Sequence, residues 1–151
     1  MNEPFFWIDR EGRWFYQGEE ITHRRTYLLY SRSLALDEQG RLLLRVGREE
    51  CRVEAEDAPY VVKSLDFLRP DGGGPQEIDL LLNDETREPL NPETLRVGRE
   101  NVLYCRVRGG MFLARFSRGA YQLLFPVIHQ DEEGKRFFLL LGGKEYPLLR
   151  E

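Results

Sequence analysis

The chain has 151 residues and a net charge of −4, and it is 41% apolar, 12% aromatic and 32% charged. That length suits one ordinary domain or two very small ones, and the apolar share supports a packed core rather than disorder. The acidic balance argues against nucleic acid and against an anionic membrane surface as the main partner, because both need a concentrated basic face.

The opening MNEPFFWIDREG has neither the basic start nor the apolar stretch of a signal peptide, and no apolar run approaches the roughly 20 residues of a membrane span. A cytoplasmic location is expected. The aromatic runs FFWID and RWFYQG flank Glu11-Gly12 and read as a hairpin. Thr22 is the expected N-cap of a helix over residues 22–35, with Tyr27, Leu28, Ser31 and Leu34 at helical spacing. A turn over residues 37–40 leads to a second hairpin, RLLLRVG and ECRVEAE, closing at Gly47-Arg48. YVVKSLDFL and EIDLLL are strands, separated by the loop RPDGGGPQ. Residues 83–101, with Pro89 and Pro92, read as an irregular connection.

VLYCRVR and MFLARF form a hairpin around Gly109-Gly110. Ser117 caps a short helix with the apolar stripe Ala120, Leu123, Leu124 and Val127, which Pro126 ends or kinks. RFFLLL and EYPLL close the chain around Gly142-Gly143. RFFLLL is apolar on both faces and is expected to be central or covered.

The two halves share this order of elements. Residues 41–56 align with residues 136–151 at a constant offset and are identical at Arg41/Arg136, Leu44/Leu139, Gly47/Gly142, Glu50/Glu145 and Glu56/Glu151. The pattern points to an internal repeat. The expected class is α+β, with two similar small subdomains, each an antiparallel sheet carrying one helix. The first covers residues 1–82, residues 83–101 connect, and the second covers residues 102–151.

Chemistry-bearing groups are few. His23, Arg24 and Arg25 begin the first helix and Arg118 begins the second, where cations oppose the helix dipole. They are candidate anion ligands, joined by Arg108 beside Gly109-Gly110; the alternative is pairing with carboxylates such as Glu19, Glu20 and Asp57. Trp14 and Tyr16 share a strand face, which is either core or a patch for a protein partner. Glu54, Glu56 and Asp57 read as a solvated strand end, without the ligand series of a metal site. Cys51 and Cys105 have no CxxC partner and read as buried, reduced thiols. His23 and His129 stand in no metalloprotease or nucleophile motif, and no cofactor is expected.

Five stretches, WFYQGEEI, VEAEDAPY, YCRVRGG, SRGAYQLL and GGKEYPL, occur in an order that resembles a bacterial family known as domain of unknown function 1285. The resemblance covers nearly the whole chain and implies an α+β protein of two similar subdomains with a role in signal transduction. His23 stands where that family favours arginine. The expected function is a non-enzymatic binding or regulatory module for a protein partner or a small anionic ligand. The alternative is an enzyme using His23, an arginine and a carboxylate such as Asp57 in a cleft between the subdomains. Pairing through an exposed sheet edge would give a homodimer.

Overall fold

The computed structural model describes residues 5–70 and 72–151. Residues 1–4 of the expected first subdomain and Asp71 of the expected loop lie outside them. The protein is α+β and mostly strand.

The chain opens with β1 (Phe6–Ile8), β2 (Trp14–Tyr16) and β3 (Glu19–Glu20), an antiparallel meander. Next come α1 (Arg24–Arg32), β4 (Leu34–Leu36), β5 (Leu42–Val46) and β6 (Glu49–Ala55). β6 pairs antiparallel with β5 through its first half and parallel with β1 through its second. That double use joins the strands into one six-stranded sheet, ordered β3-β2-β1-β6-β5-β4.

A second sheet contains β7 (Tyr60–Leu68), β8 (Glu77–Leu82), β9 (Arg87–Pro89), β10 (Arg96–Val97), β11 (Leu103–Val107), β12 (Phe112–Phe116) and the terminal β16 (Leu149–Arg150). Its order is β16-β10-β11-β12-β7-β8-β9. Two of its pairings are parallel, β12 with β7 and β10 with β16. This layer therefore takes strands from both sides of the expected 1–82 and 102–151 division. The intervening residues 83–101 are more ordered than expected: they hold β9, β10 and two short 3₁₀ turns, and bury Asp84, Leu90, Leu95 and Val97.

After β12 come α2 (Arg118–Leu124), a 3₁₀ turn over Phe125–Val127, and a separate sheet of β13 (Ile128–Gln130), β14 (Phe137–Leu141) and β15 (Lys144–Pro147). β14 is central in that sheet, as expected of RFFLLL. Ser117 caps α2 by accepting from the Ala120 N–H at 3.1 Å, and Pro126 stands where the α-helix gives way to the tighter turn.

The first helix departs from expectation at both ends. His23, not Thr22, is the N-cap, and its ring meets the Thr26 hydroxyl at 2.8 Å without capping the backbone. The helix stops at Arg32. Leu34 satisfies a helical period and a strand equally well, and the strand wins: it pairs with Leu44 across β4–β5 and is buried.

Each helix is followed by a three-stranded antiparallel meander. Leu34 opposes Leu44 and Arg45 opposes Glu50 in the first; Ile128 opposes Leu139 and Leu140 opposes Glu145 in the second. The meanders share a turn. The Asp37 N–H donates to the Arg41 carbonyl at 2.9 Å, and the Asp37 carboxylate accepts from the Gln39 and Arg41 N–H groups at 2.9 and 2.8 Å. Asp131 does the same with Arg136 (3.0 Å) and Lys135 (2.9 Å). The β1–β2 turn repeats the device at Asp9, whose carboxylate accepts from Glu11 and Arg13. Gly12, Gly40 and Gly134 complete these turns at φ of +85°, +79° and +70°, where a side chain is strained.

One core runs through the molecule. On one side Trp14, only 1% exposed, packs against Phe6 and Tyr30 with ring centroids 6.2 and 5.8 Å away. On the other, Leu124, Val127, Leu139 and Leu141 continue it under α2 and β14. No helix among the described residues is long and apolar enough to cross a membrane.

Candidate functional site

The sequence-predicted residues fall into separate places. His23, Arg24 and Arg25 are exposed at the start of α1. Arg24 is paired with Glu85 in the β8–β9 turn, and this pairing draws the Glu85 carboxyl below its ordinary range. Thus one of these three cations takes the bland role of neutralising a carboxylate.

Arg108 takes another structural role. It sits at φ +53° in the β11–β12 turn, and its N–H donates to both Glu88 carboxylate oxygens at 3.1 Å. Its guanidinium donates to the Tyr60 hydroxyl and lies over the Phe112 ring, 5.2 Å from the centroid. Tyr60 is fully buried and donates to the Ser31 carbonyl at 2.6 Å. Burial pushes its phenol up to about 12, against the lowering pull of Arg108. This chain satisfies a carbonyl of the last turn of α1, which a helix cannot satisfy itself.

Asp57 is drawn into a third cluster. Its carboxylate accepts from the Tyr104 hydroxyl at 2.7 Å and from Arg115 at 2.8 Å. Burial, then the Asp57 hydrogen bond, push the Tyr104 phenol up to about 12. The cluster ties the β6–β7 turn to the β11–β12 hairpin. His23 bonds Thr26, and no hydrogen bond among the described residues brings it to Asp57.

Trp14 belongs to the core, so the exposed Trp-Tyr face is absent; Tyr16, at 37% exposure, remains at the surface. Glu54 and Glu56 are exposed, in line with a solvated strand end. Cys105 is fully buried, which raises its thiol to about 12, and Cys51 is half-buried. No group of three or more His, Cys, Asp or Glu among the described residues could hold a metal ion.

Arg118 is the predicted residue that lines a cavity of consequence. A depression of about 360 Å³ is bordered by Glu100, Arg115, Arg118, Gln122 and Phe125 among others. Asn101, Tyr121 and Phe125 also line a neighbouring depression of about 410 Å³, walled by Val97, Ile128, Phe137, Leu148 and Arg150. Among the described residues no ion pair or hydrogen bond engages the Arg118 side chain. Arg115, by contrast, is committed to Asp57. Phe125 and Phe137 stand 58% and 49% exposed along this groove.

Sequence reasoning missed most of these residues. Arg150 and Leu148 reach these depressions through the pairing of β16 with β10, and Asn101 as the last residue of a 3₁₀ turn. The usable signal was the doubly apolar RFFLLL, whose Phe137 has no core position to occupy.

No protein-family model matches the chain, and no curated protein matches it. The class defined by the fold is a mixed-sheet α+β protein with sheets of six, seven and three strands. That fold is the one found in proteins of the DUF1285 family. The crystal structure of such a protein from Silicibacter pomeroyi DSS-3 superposes with a TM-score of 0.77 at 23% identity, covering 98% of this chain and 84% of that one. One from Shewanella baltica OS155 gives a TM-score of 0.66 at 18% identity, over 82% of this chain and 91% of that one. The sequence resemblance thus has its counterpart in the fold.

Proposed function

We propose that this protein is a DUF1285-type binding module that takes a small anionic ligand in the groove between α2, the β10–β16 edge and β14, and serves a regulatory, signal-transducing role. The observation that carries the reading is Arg118: an unpaired guanidinium lining a depression of about 360 Å³ beside an apolar-walled one of about 410 Å³, both in the size range of small-molecule sites. His23, Arg24 and Arg25 would lie outside that site. We further read the two helix–meander units as copies of one ancestral unit, on the strength of their matching turns and registers.

A thermal-shift screen against carboxylates, phosphates and nucleotides tests the reading, since a ligand that binds the folded state raises Tm by mass action. At least one anion is expected to raise Tm in the native protein and not in Arg118→Gln. A panel that shifts nothing overturns the small-ligand reading and favours a protein partner.

A further inference from the structure

The strand face opposite Trp14 is aromatic too, and it is turned away from the core. Phe6, Ile8, Trp14, Val53 and Leu44 line the inner face of the six-stranded sheet and are buried. Phe5, Trp7 and Phe15 alternate with them and stand on the outer face. Trp7 and Phe15 are half-buried, Phe5 is 43% exposed, and the Phe5 and Trp7 ring centroids lie 6.2 Å apart.

The strand register fixes what surrounds these rings. Glu20 pairs with Phe15, Phe15 with Trp7, and Trp7 with Glu54, so the four form one row across β3, β2, β1 and β6. Residues paired in this way present their side chains on the same face. The row reads carboxylate, phenyl, indole, carboxylate. Glu20 and Glu54 are exposed and join no ion pair among the described residues. Arg13, next to this row, is committed to Asp9 at 2.8 Å and Glu11 at 3.3 Å, and Arg45 is committed to Glu50 at 2.6 Å. Arg52, two residues before Glu54, is the remaining cation on this face of the strands. Set against Glu20 and Glu54, it leaves a surplus of one negative charge.

An aromatic ring presents its negative face to a cation, and flanking carboxylates add to that attraction. Arg69 lies over Phe67, and Arg108 over Tyr60 and Phe112, but no cation among the described residues lies over Trp7 or Phe15. Length then separates a small cation from a chain. Glu20 and Glu54 are three strand spacings apart, roughly 14 Å at about 4.8 Å each. No small cation reaches both. An extended segment advances about 3.3 Å per residue with alternate side chains on one side. Its residues i and i+4 therefore stand about 13 Å apart and face the same way, with i+2 midway.

We propose that this face docks an extended basic segment of a protein partner, laid across the strands. Arginines at i and i+4 meet Glu20 and Glu54, and a third at i+2 lies over Trp7 and Phe15. This surface is independent of the anion site at Arg118. The test is isothermal titration of the full chain with the end-capped peptide Arg-Thr-Arg-Thr-Arg, whose threonines favour the extended form. The comparisons are Arg-Arg-Arg-Thr-Thr, which has the same charge, and tetramethylammonium. Each titration is repeated on Glu20→Gln, Glu54→Gln and Trp7→Leu, with far-UV circular dichroism checking the fold. Both glutamates are exposed, so their variants carry the test should Trp7→Leu unfold.

The alternating peptide is expected to bind, about threefold more weakly to each glutamate variant, the scale of an exposed ion pair. Trp7→Leu is expected to weaken it about fivefold, the scale of an exposed cation–π contact. The clustered peptide binding equally well would overturn the match to the row. Tetramethylammonium binding as tightly as the peptide would overturn the segment in favour of a small cation. A dimer in sedimentation that Trp7→Leu abolishes would overturn it in favour of a second copy of the chain. Peptide binding that no substitution weakens, or no binding at all, would overturn the surface.

Discussion

Replacing Tyr60 by Phe removes one oxygen from the centre of the molecule and tests how α1 is held. The ring stays, so no cavity forms; the loss is confined to hydrogen bonds. The hydroxyl donates to the Ser31 carbonyl at 2.6 Å and accepts from Arg108. Ser31 is 1% exposed, so water cannot replace the donor, and a buried acceptor left without a partner costs about 1–3 kcal/mol. Arg108 is only half-buried and keeps its seat over Phe112, so its freed N–H turns to solvent at little cost. The expected loss is about 2 kcal/mol, which lowers Tm by roughly 4–8 °C in a chain of this size. Urea unfolding followed by tryptophan fluorescence reads it directly, since Trp14 is buried in the folded state. A loss below about 0.5 kcal/mol at an unchanged m-value would show that the hydroxyl does not hold the end of the helix.

The same residue predicts a pH dependence. Its phenol is raised from 10.0 to about 12, so the unfolded chain gives up the proton first and stability falls as pH rises through that window. Tyr104 falls the same way, and Tyr60→Phe removes the Tyr60 part alone; the stability gap between native protein and variant should narrow across the window, and a constant gap in urea midpoints would refute the assignment. The turn glycines offer a matched pair. A Cβ on Gly12 meets the Asn83 amide nitrogen at 2.8 Å and a Val61 methyl at 3.1 Å, whereas one on Gly40 meets nothing within 4 Å. Gly40→Ala should cost about 1 kcal/mol from backbone strain alone, and Gly12→Ala about 2–3 kcal/mol because the Asn83 clamp must also shift. Equal costs by urea denaturation would remove Asn83 from the account.

The legible part of the fold was the local part. Hairpins turning at Gly12, Gly47 and Gly142 could be read from turn residues between alternating apolar runs, and the second helix from Ser117 and Pro126. β4 and β13 were missed because three-residue strands carry too little period to compete with a helix that precedes them. β9 and β10 were missed because prolines bracket them and their pairing is decided by distant strands. The site follows the same rule. Arg118 was visible as an oddly placed cation, yet the depression it lines is completed by Glu100, Asn101 and Arg115, which only tertiary pairing assembles. His23 and Arg108 were also candidates in the sequence, but the His23 ring bonds Thr26 and the Arg108 guanidinium bonds Tyr60; a side chain's value as a ligand group depends on neighbours that spacing does not encode.

The interleaving of the seven-stranded sheet has a further consequence. β7 lies between β12 and β8, so both its neighbours come from beyond the glycine-rich loop that follows it. Cut the chain in that loop, and the seven-stranded layer is divided: the first piece keeps its central strand β7 with no flanks, the second keeps the flanks with no centre. Two units joined this way are expected to melt in a single transition, with a substitution buried in either unit lowering the stability of both. The halves are therefore expected not to fold when separated at that loop.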